Sequence, residues 1–217
     1  SGNDLMFGGD GNDTIYGGEG DDIIHTGSGH NWVSGGKGND VIYSGADGNV
    51  IYGNAGDDVI VMGGGNDKIF GGQGFDTIDF SLAKVGVTVN LREKAYSGWG
   101  EGHLDSIEGV VGSAHDDVII ANGKNNVFTG NGGNDTFVWH WGTAKMGSDT
   151  ITDFDKGDVL DLSRVLKGRT EFLAVKHDGT NTHVYAMMDK QWYEVVKLEG
   201  FQASADDMLA SGMILAG

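Results

Sequence analysis

The chain has 217 residues, enough for one large domain or two small ones, and its lack of cysteine excludes disulfides and thiolate metal sites. Its formal charge of −18 and the lack of a basic patch argue against a nucleic-acid partner, and no apolar run is long enough to span a membrane. Forty glycines and no proline suit a structure of many tight turns and of strands that need every N–H group.

The stretch from Gly8 to Asp79 repeats every nine residues, in blocks such as GGDGNDTIY and GGEGDDIIH. An aliphatic residue or methionine occupies the eighth place of each block: Met6, Ile15, Ile24, Val33, Ile42, Ile51, Ile60, Ile69 and Ile78. An aspartate or asparagine occupies the sixth place: Asp4, Asp13, Asp22, Asn31, Asp40, Asn49, Asp58, Asp67 and Asp76. Composition alone does not produce two such aligned columns, so this is a repeat protein.

Each block predicts one turn and one short strand. Glycine at the first, second and fourth places permits positive φ and a tight turn, and the aliphatic eighth residue faces inward. Two nine-residue blocks complete one coil, and equivalent residues of successive coils lie about 4.8 Å apart. Carboxylates stacked at that spacing repel one another unless hard cations with oxygen ligands lie between the coils. Calcium is favoured over magnesium because it accepts more oxygen ligands in less regular geometry.

The pattern G-G-x-G-x-D-x-U-x resembles the RTX repeats, which are haemolysin-type calcium-binding nonapeptides of bacterial proteins exported by type I secretion. The resemblance implies an all-β fold, a right-handed parallel β-roll (a β-solenoid) that holds several structural calcium ions. It also implies a secreted protein, outside the cell or at its surface, that contacts the type I secretion machinery during export. We expect the chain to be a monomeric segment of a longer protein.

The two sides of this roll differ in their sixth-place residues. One side carries a carboxylate in every coil from Asp4 to Asp76, whereas the other carries Asn31 and Asn49 in two of its coils. We therefore predict a full row of calcium ions on the first side and a weakened row, with a gap between the two asparagines, on the second. In the alternative, asparagine is a neutral oxygen ligand and every site is filled.

The period is lost between Phe80 and Ile107. There SLAKVGVTVNL alternates apolar and polar residues like an edge strand, and REKAYSGWGEGH is typical of an excursion loop. The sixth-place residues of the resumed register are Glu108, Asp117, Asn126 and Asp135. Asp117 with Asp135 is predicted to form one site, and Glu108 with Asn126 a weaker one. This part resembles the modules attached to exported enzymes, including mannuronan epimerases.

The acidic segment GSDTITDFDKGDVLDLS follows, and it resembles the end of the roll in serralysin-type C-terminal domains. Its aspartates, with Asp149 foremost, are candidates for a closing metal site, and turn-forming or solvated acids are the alternative. The predicted metal ligands combine carboxylates with turn carbonyls of second- and fourth-place glycines: Asp4, Gly9, Gly11, Asp13, Gly18, Gly20, Asp22, Gly36, Gly38, Asp40, Asp58, Asp67, Gly72, Gly74, Asp76, Glu108, Asp117, Asp135 and Asp149.

The chain after Thr170 predicts three antiparallel strands joined by DGTN and DKQ turns. Such a meander would cover the open end of the roll. Ser204 is placed to cap a short helix with Asp206 and Asp207 in its first turn. The tail MLASGMILAG resembles, by its position after the repeats, an uncleaved C-terminal export signal.

We predict three segments: a calcium β-roll over 1–80, an excursion with a second short roll over 81–165, and a cap with the export signal over 166–217. The motifs H-E-x-x-H and G-x-S-x-G are absent, so we expect no enzyme activity from this chain itself. The seven histidines are expected at the surface. The predicted function is a calcium-binding module that folds on meeting extracellular calcium and supports the export and folding of a larger exoprotein, either an adhesin or an exoenzyme.

The alternative function is a polysaccharide- or surface-binding accessory module, such as those of alginate epimerases and RTX adhesins. Such a module needs exposed aromatic side chains. Trp139 and Trp141 share one face of a predicted strand, and the ninth-place Tyr16, Tyr43 and Tyr52 point outward. In the competing interpretation the tryptophans pack the joint between roll and cap.

Overall fold

The computed structural model describes residues 1–140 and 147–217, and most of its regular structure is β-strand. The repeat region forms nine strands: β1 (Leu5–Phe7), β2 (Thr14–Glu19), β3 (Ile23–His25), β4 (Trp32–Lys37), β5 (Val41–Tyr43), β6 (Val50–Ala55), β7 (Val59–Val61), β8 (Lys68–Gln73) and β9 (Thr77–Asp79). Odd-numbered strands form one parallel sheet and even-numbered strands the other. Ile24 pairs with Ile42, two blocks further on, so one block is half a coil as predicted.

The eighth-place side chains fill the space between the two sheets. Ile24 and Ile42 from the first sheet and Ile51 and Ile69 from the second are fully buried. Burial of an isoleucine side chain stabilises a fold by about 1.5–3 kcal/mol, and each coil buries two such aliphatic side chains. This column is the core of a β-roll, which confirms the predicted fold class.

The two sheets differ in strand length, because the even-numbered strands continue through the first three places of the next block. Gly18, Gly36 and Gly72 therefore lie inside β2, β4 and β8, and the prediction that they belong to turns is wrong. Gly36 has a φ of 130°, and a β carbon on it would collide with the carbonyl oxygen of Gly18. Glycine is thus required there by the close approach of two coils as well as by its φ.

The region without the nonapeptide period belongs to the sheets as well. Its strands and those of the resumed repeat are β10 (Thr88–Asn90), β11 (Ala95–Gly98), β12 (Gly100–Asp105), β13 (Gly109–Val111), β14 (Val118–Ile120), β15 (Val127–Thr129) and β16 (Thr136–Val138). β12 pairs in parallel with β8, β11 pairs antiparallel with both β12 and β10, and β10 pairs in parallel with β14. The strand predicted in SLAKVGVTVNL is confirmed as β10, but it lies inside the sheet and not at an edge, and the predicted excursion loop is wrong. A gap in the sheet would leave backbone groups unpaired, and this antiparallel insertion supplies their partners.

The C-terminal part closes both sheets. Its elements are β17 (Asp149–Ile151), β18 (Val159–Asp161), α1 (Ser163–Leu166), a 3₁₀ helix (Thr170–Phe172), β19 (Leu173–His177), β20 (Thr182–Met188), β21 (Gln191–Leu198), α2 (Ala205–Ala210) and β22 (Ile214–Leu215). The predicted meander is confirmed as β19, β20 and β21, and β21 pairs in parallel with β17. β22 pairs in parallel with β18 at the end of the second sheet. The Ser204 hydroxyl accepts the Asp207 N–H at 3.1 Å, which confirms the predicted cap of α2.

The first sheet continues across residues 80 and 165, since β9 pairs with β13 and β17 pairs with β21. The second sheet does so through the pairs β8 with β12 and β18 with β22. The division into three segments stays a prediction. Among the described helices, none has the length and apolar character that crossing a membrane requires.

Candidate metal centre

The sixth-place residues form two rows, one along each side of the roll. The row that precedes the strands of the first sheet consists of Asp4, Asp22, Asp40, Asp58, Asp76, Glu108, Asn126 and Asp149. The row that precedes the strands of the second sheet consists of Asp13, Asn31, Asn49, Asp67, Asp117, Asp135 and Asp158. Most of these side chains are buried: the exposed fractions of Asp22, Asp40 and Asp58 are 1%, 0% and 0%.

One carboxylate oxygen in each regular coil accepts a backbone N–H from the preceding coil. Oδ1 of Asp40 accepts the N–H of Asp22 at 2.8 Å, and Oδ1 of Asp58 accepts the N–H of Asp40 at 2.8 Å. The same bond recurs at Asp22 and Asp76, so it fixes the carboxylate of each coil against the backbone of its neighbour. One oxygen of each carboxylate is thereby used by the fold.

The second carboxylate oxygen has no hydrogen-bond partner at six aspartates. Among the described residues, the buried Oδ2 atoms without a donor belong to Asp13, Asp22, Asp40, Asp58, Asp76 and Asp135. A buried charged oxygen without a donor is strongly unfavourable, and a bound cation would relieve that cost. Four of these six atoms lie in consecutive coils of the first row, so the residues present fit calcium ions there.

Burial raises the pKa of four of these carboxyl groups, those of Asp40, Asp58, Asp76 and Asp135. The pKa of Asp58 rises to about 7, mainly through loss of hydration and then through the negative charges of Asp40 and Asp76. Burial likewise raises the pKa of Asp40 and of Asp76 to about 6 and that of Asp135 to about 7. The ionised row is therefore unfavourable by itself, and it favours binding of positive charge.

First-place glycines lie directly against the free carboxylate oxygens. A β carbon on Gly35 would collide with Oδ2 of Asp40, and one on Gly53 would collide with Oδ2 of Asp58. The same relation joins Gly130 to Asp135. These glycines were not among the predicted site residues, although the glycine at the first place of most blocks was the signal that could have identified them.

The two glycine places that were predicted as carbonyl ligands differ. The carbonyl of Gly9, at the second place, already accepts the N–H of Ser28 at 2.9 Å. The fourth-place Gly20 and Gly38 lie in turns and donate their N–H groups to the next coil at 2.8 Å. Within the described chain their carbonyl oxygens accept no hydrogen bond, so the fourth place suits a metal ligand better than the second. No three carboxylate or imidazole groups of the described residues converge on one point, so carbonyl ligands are needed to complete a calcium shell.

The side-chain amides of Asn31 and Asn49 make their hydrogen bonds with protein groups and need no ion. Oδ1 of Asn31 accepts the N–H of Asp13 at 2.8 Å, as an aspartate would. Its Nδ2, however, donates to the carbonyl of Gly29 at 3.1 Å, and Nδ2 of Asn49 donates to the carbonyl of Asp47 at 2.6 Å. The amide N–H groups thus occupy turn carbonyls that would otherwise face a cation. This favours the predicted gap over the alternative of filled sites, and ion occupancy itself stays a prediction.

Three predicted aspartate ligands have protein donors at the second oxygen. Oδ2 of Asp67 accepts from the Tyr96 hydroxyl at 3.1 Å, Oδ2 of Asp117 from the Ser113 N–H at 2.6 Å, and Oδ2 of Asp149 from Trp139 Nε1 at 2.7 Å. In each of these three aspartates a protein donor thus binds the oxygen that has no donor in the regular coils. The three carboxylates therefore need a cation less than Asp40 or Asp58 does.

Glu108 and Asn126 also differ from the regular row. Lys124 Nζ lies 2.7 Å from one oxygen of Glu108, and the Asp76 N–H donates to the other at 3.3 Å. Nδ2 of Asn126 donates to the Lys124 carbonyl at 3.0 Å and to Asp149 Oδ1 at 3.1 Å. A lysine thus supplies the positive charge at this coil, and the weaker ion site predicted here stays a prediction.

Among the described residues, the histidines join no cluster that could hold a second metal ion. Trp139 is buried with 2% of its surface exposed, which agrees with a packing role, and Trp141 lies outside the described residues. Tyr16 and Tyr43 point outward with 67% and 37% exposed, as predicted. All seven histidines are exposed or half-buried.

Two rows of buried carboxylates on a β-roll, with one oxygen of six of them left for a cation, define a calcium-binding repeat module. Known families agree. The model of the RTX calcium-binding nonapeptide repeat matches residues 1–33, 25–60 and 47–78, and the model of the Peptidase M10 serralysin C terminal matches residues 68–209. The second match covers more than half of the chain. The chain belongs to the serralysin-type C-terminal family and carries RTX calcium-binding repeats.

No curated protein sequence matches the chain. Among solved structures, the extracellular lipase LipA from Serratia marcescens is similar, with 17% sequence identity and a TM-score of 0.35. The match covers 91% of this chain and 45% of the lipase chain, so the chain spans less than half of that protein. A TM-score this low carries no argument about the fold, which follows from the strand pairing.

Proposed function

We propose that this chain folds when it meets extracellular calcium, and that it thereby supports the export and folding of a larger protein secreted by a type I system. The observation that carries the proposal is the set of buried Oδ2 atoms without donors, above all those of Asp22, Asp40, Asp58 and Asp76. A fold that leaves charged oxygens in this state is complete only with a bound cation. The residues proposed to hold calcium are these four, with Asp13, Asp135 and the fourth-place glycine carbonyls.

Electrostatics supports a strong dependence on calcium. Two unit charges about 4.8 Å apart repel by about 3 kcal/mol at an effective dielectric constant near 20. The first row places Asp22, Asp40, Asp58 and Asp76 in consecutive coils, so the repulsion accumulates along the row. Bound calcium supplies positive charge and replaces the missing donors. Without it, the ionised coils of residues 14–61 are expected to unfold, since a whole domain is stable by only about 5–15 kcal/mol.

The export role follows from where calcium is available. Calcium sites of extracellular modules bind with dissociation constants of about 10⁻⁴–10⁻³ M, far above the free calcium of the cytosol. The chain would then stay unfolded inside the cell and fold outside, with a stability set by free calcium. The structure of the C-terminal tail supports this order, because Met208 and Ile214 are buried. An export signal in this tail would be accessible in the unfolded chain and hidden after folding.

We further propose that this segment is not itself an enzyme and that catalysis or adhesion belongs to the rest of the larger protein. Calcium ligation accounts for the period of the carboxylates, and acid–base chemistry does not. Assays of the isolated chain for protease, esterase and lyase turnover should give no activity above the buffer blank. Turnover that disappears in a variant of one described side chain would contradict this part of the proposal.

A polysaccharide-binding role is the second candidate, because the second sheet carries an outward column of aromatic side chains. Tyr16, Trp32, Tyr52 and Phe70 follow one another along this face. The rings of Tyr52 and Phe70 stack with centroids 4.7 Å apart and planes at 9°, so each covers a face of the other. Saccharides stack on exposed ring faces, and the faces that Tyr52 and Phe70 turn to each other are not open to a saccharide. The calcium-dependent folding role is therefore the better supported of the two.

The deciding experiment is a calcium titration followed by far-ultraviolet circular dichroism, starting from chelator-treated protein at pH 8. We expect a large loss of β signal in chelator and its cooperative recovery as calcium approaches extracellular concentrations. Magnesium at the same concentration is the control and should restore little, because it prefers regular octahedral shells that retain water. Full β structure in chelator would refute the proposal.

A further inference from the structure

Each row of sixth-place residues contains one carboxylate whose second oxygen accepts a hydrogen bond from an aromatic side chain. In the second row this carboxylate is Asp67, the last one before the antiparallel insertion. The Asp67 N–H donates to the Tyr96 hydroxyl oxygen at 2.9 Å, and that hydroxyl donates to Asp67 Oδ2 at 3.1 Å. Both side chains are buried, with 1% of Asp67 and 3% of Tyr96 exposed. In a regular coil the backbone N–H donates to the carboxylate of the next coil, and the second carboxylate oxygen is left for an ion. At Asp67 the Tyr96 hydroxyl contacts both the N–H and the second oxygen.

The backbone around Tyr96 is built to admit it. β12 pairs His103 with Lys68, which places Gly102 where the next sixth-place residue of the row would be. Gly102 has no side chain to accept the Asp67 N–H, and a β carbon on it would lie 2.5 Å from Cε1 of Tyr96. The Tyr96 ring from the neighbouring β11 thus fills the space that the missing side chain leaves. An ion at this turn would find no carboxylate in the next coil.

Trp139 has the same relation to the first row. Its Nε1 donates to Oδ2 of Asp149 at 2.7 Å, and the N–H of Asn126 donates to Oδ1 of Asp149 at 2.8 Å. Trp139 is 2% exposed and Asp149 is 1% exposed. β17, which begins at Asp149, then pairs with β21 of the meander, so the repeat pattern ends here. Both rows therefore have a neutral aromatic donor where their regular sequence stops.

We propose that Tyr96 and Trp139 replace calcium at Asp67 and Asp149, so that these two turns bind no ion and keep their hydrogen bonds in chelator. The inference rests on the proposed calcium-dependent folding, which concerns the other carboxylates. A hydroxyl or indole N–H satisfies a buried carboxylate oxygen at a fixed position, where a cation would lack ligands from the adjoining coil. The aromatic donors thus remove Asp67 and Asp149 from the set of calcium ligands.

The first test counts bound calcium by native mass spectrometry of the whole chain in a matched pair of variants. Asp58→Asn removes a carboxylate whose second oxygen is free, and Asp67→Asn removes one whose second oxygen is held by Tyr96. We expect Asp58→Asn to lower the count by at least one ion and Asp67→Asn to leave it unchanged. An equal loss in both variants would overturn the inference. A wild-type chain that binds no calcium would instead refute the proposed function.

The second test measures hydrogen exchange of the Asp67 amide, and it does not require that a variant bind calcium normally. In chelator we expect this amide to exchange at least tenfold more slowly than the Asp40 amide, whose acceptor Asp58 belongs to the calcium row. Tyr96→Phe removes only the hydroxyl and should abolish the difference, whereas Tyr185→Phe on the meander should preserve it. Equal exchange of the Asp67 and Asp40 amides in the wild-type chain would overturn the inference.

Discussion

The N-terminal repeat and the C-terminal part of the roll share two continuous sheets and yet stabilise their buried carboxylates differently. From Asp13 to Asp76, five aspartates have a buried oxygen without a donor. From Glu108 to Asp158, Asp135 is the one described aspartate in that state, and protein donors or Lys124 reach the other carboxylates. The same strand geometry therefore leaves carboxylate oxygens free for cations in one region and satisfies them mostly with side-chain and backbone donors in the other.

The difference shows how the folding of one roll can depend on the ion concentration at one end and be independent of it at the other. A carboxylate with a free oxygen makes folding depend on the ion concentration, because the ion binds the folded coil alone. A carboxylate that accepts from a tyrosine, serine or tryptophan is satisfied under all conditions. The C-terminal part also packs aromatic side chains in its core, with Phe128, Phe137 and Phe154 next to one another.

The largest expected effect comes from pH in the absence of calcium. The pKa of Asp58 and of Asp135 is about 7 in the fold, and that of Asp40 and of Asp76 is about 6, whereas the ordinary value is 3.8. A raised pKa in the fold means that protonation stabilises it, fully below pH 3.8, and that this stability is lost as pH rises to 6–7. In chelator, the repeat should be more stable at pH 5 than at pH 8 by on the order of 2–4 kcal/mol.

The β structure that remains in chelator, followed by circular dichroism as the pH is lowered from 8 to 5, measures this effect. Calcium affinity should change in the opposite direction and fall as pH decreases through 7 to 6, because protons compete for the same oxygens. A chelated repeat that is equally stable at both pH values would show that these carboxylates are not buried in the ionised form.

A smaller effect is expected from crowding the free oxygen. Gly35→Ala places a β carbon against Oδ2 of Asp40 and the Gly53 carbonyl, and should lower the stability of the calcium-loaded protein by about 1–3 kcal/mol. Gly132→Ala is the control, because the nearest atom to its new β carbon is 3.9 Å away. Thermal unfolding in excess calcium distinguishes the two. Equal melting temperatures would contradict the placement of Gly35 beside the site.

The smallest effect concerns the gap in the second row. Asn31→Asp replaces the amide that donates to the Gly29 carbonyl with a second free oxygen, and should add one calcium ion to the count. In chelator the same variant should lose about 1 kcal/mol through the new unsatisfied oxygen. Isothermal titration calorimetry gives the stoichiometry. An unchanged count would support the alternative that asparagine already acts as a neutral ligand.

The sequence predicts the regular part of the molecule well because its physics is local. Nine residues contain one turn and one strand, so the columns at Ile24 and Asp22 follow from counting. The meander and the cap of α2 were predictable for the same reason, since turn residues and Ser204 act within a few positions. The insertion at 95–105 was not, because its strand partners lie far away in the sequence and its own pattern is irregular.

The candidate site was predictable only in part. The period identifies which carboxylates face the turns, but the fate of the second oxygen depends on contacts from other coils. Tyr96 reaches Asp67 across 29 positions, and nothing in the local sequence of either residue indicates the contact. The first-place glycines beside Asp40 and Asp58 were predictable in retrospect, since their repetition exceeds what a turn alone requires.

The most direct test is hydrogen exchange resolved by segment, in calcium and in chelator at pH 8. We predict that removal of calcium increases exchange about a hundredfold or more over residues 14–61, as the loss of about 3 kcal/mol requires. Residues 173–198, which form the meander, should retain their protection. Uniform loss of protection over both segments, or no loss in either, would contradict a roll that is conditional at one end and permanent at the other.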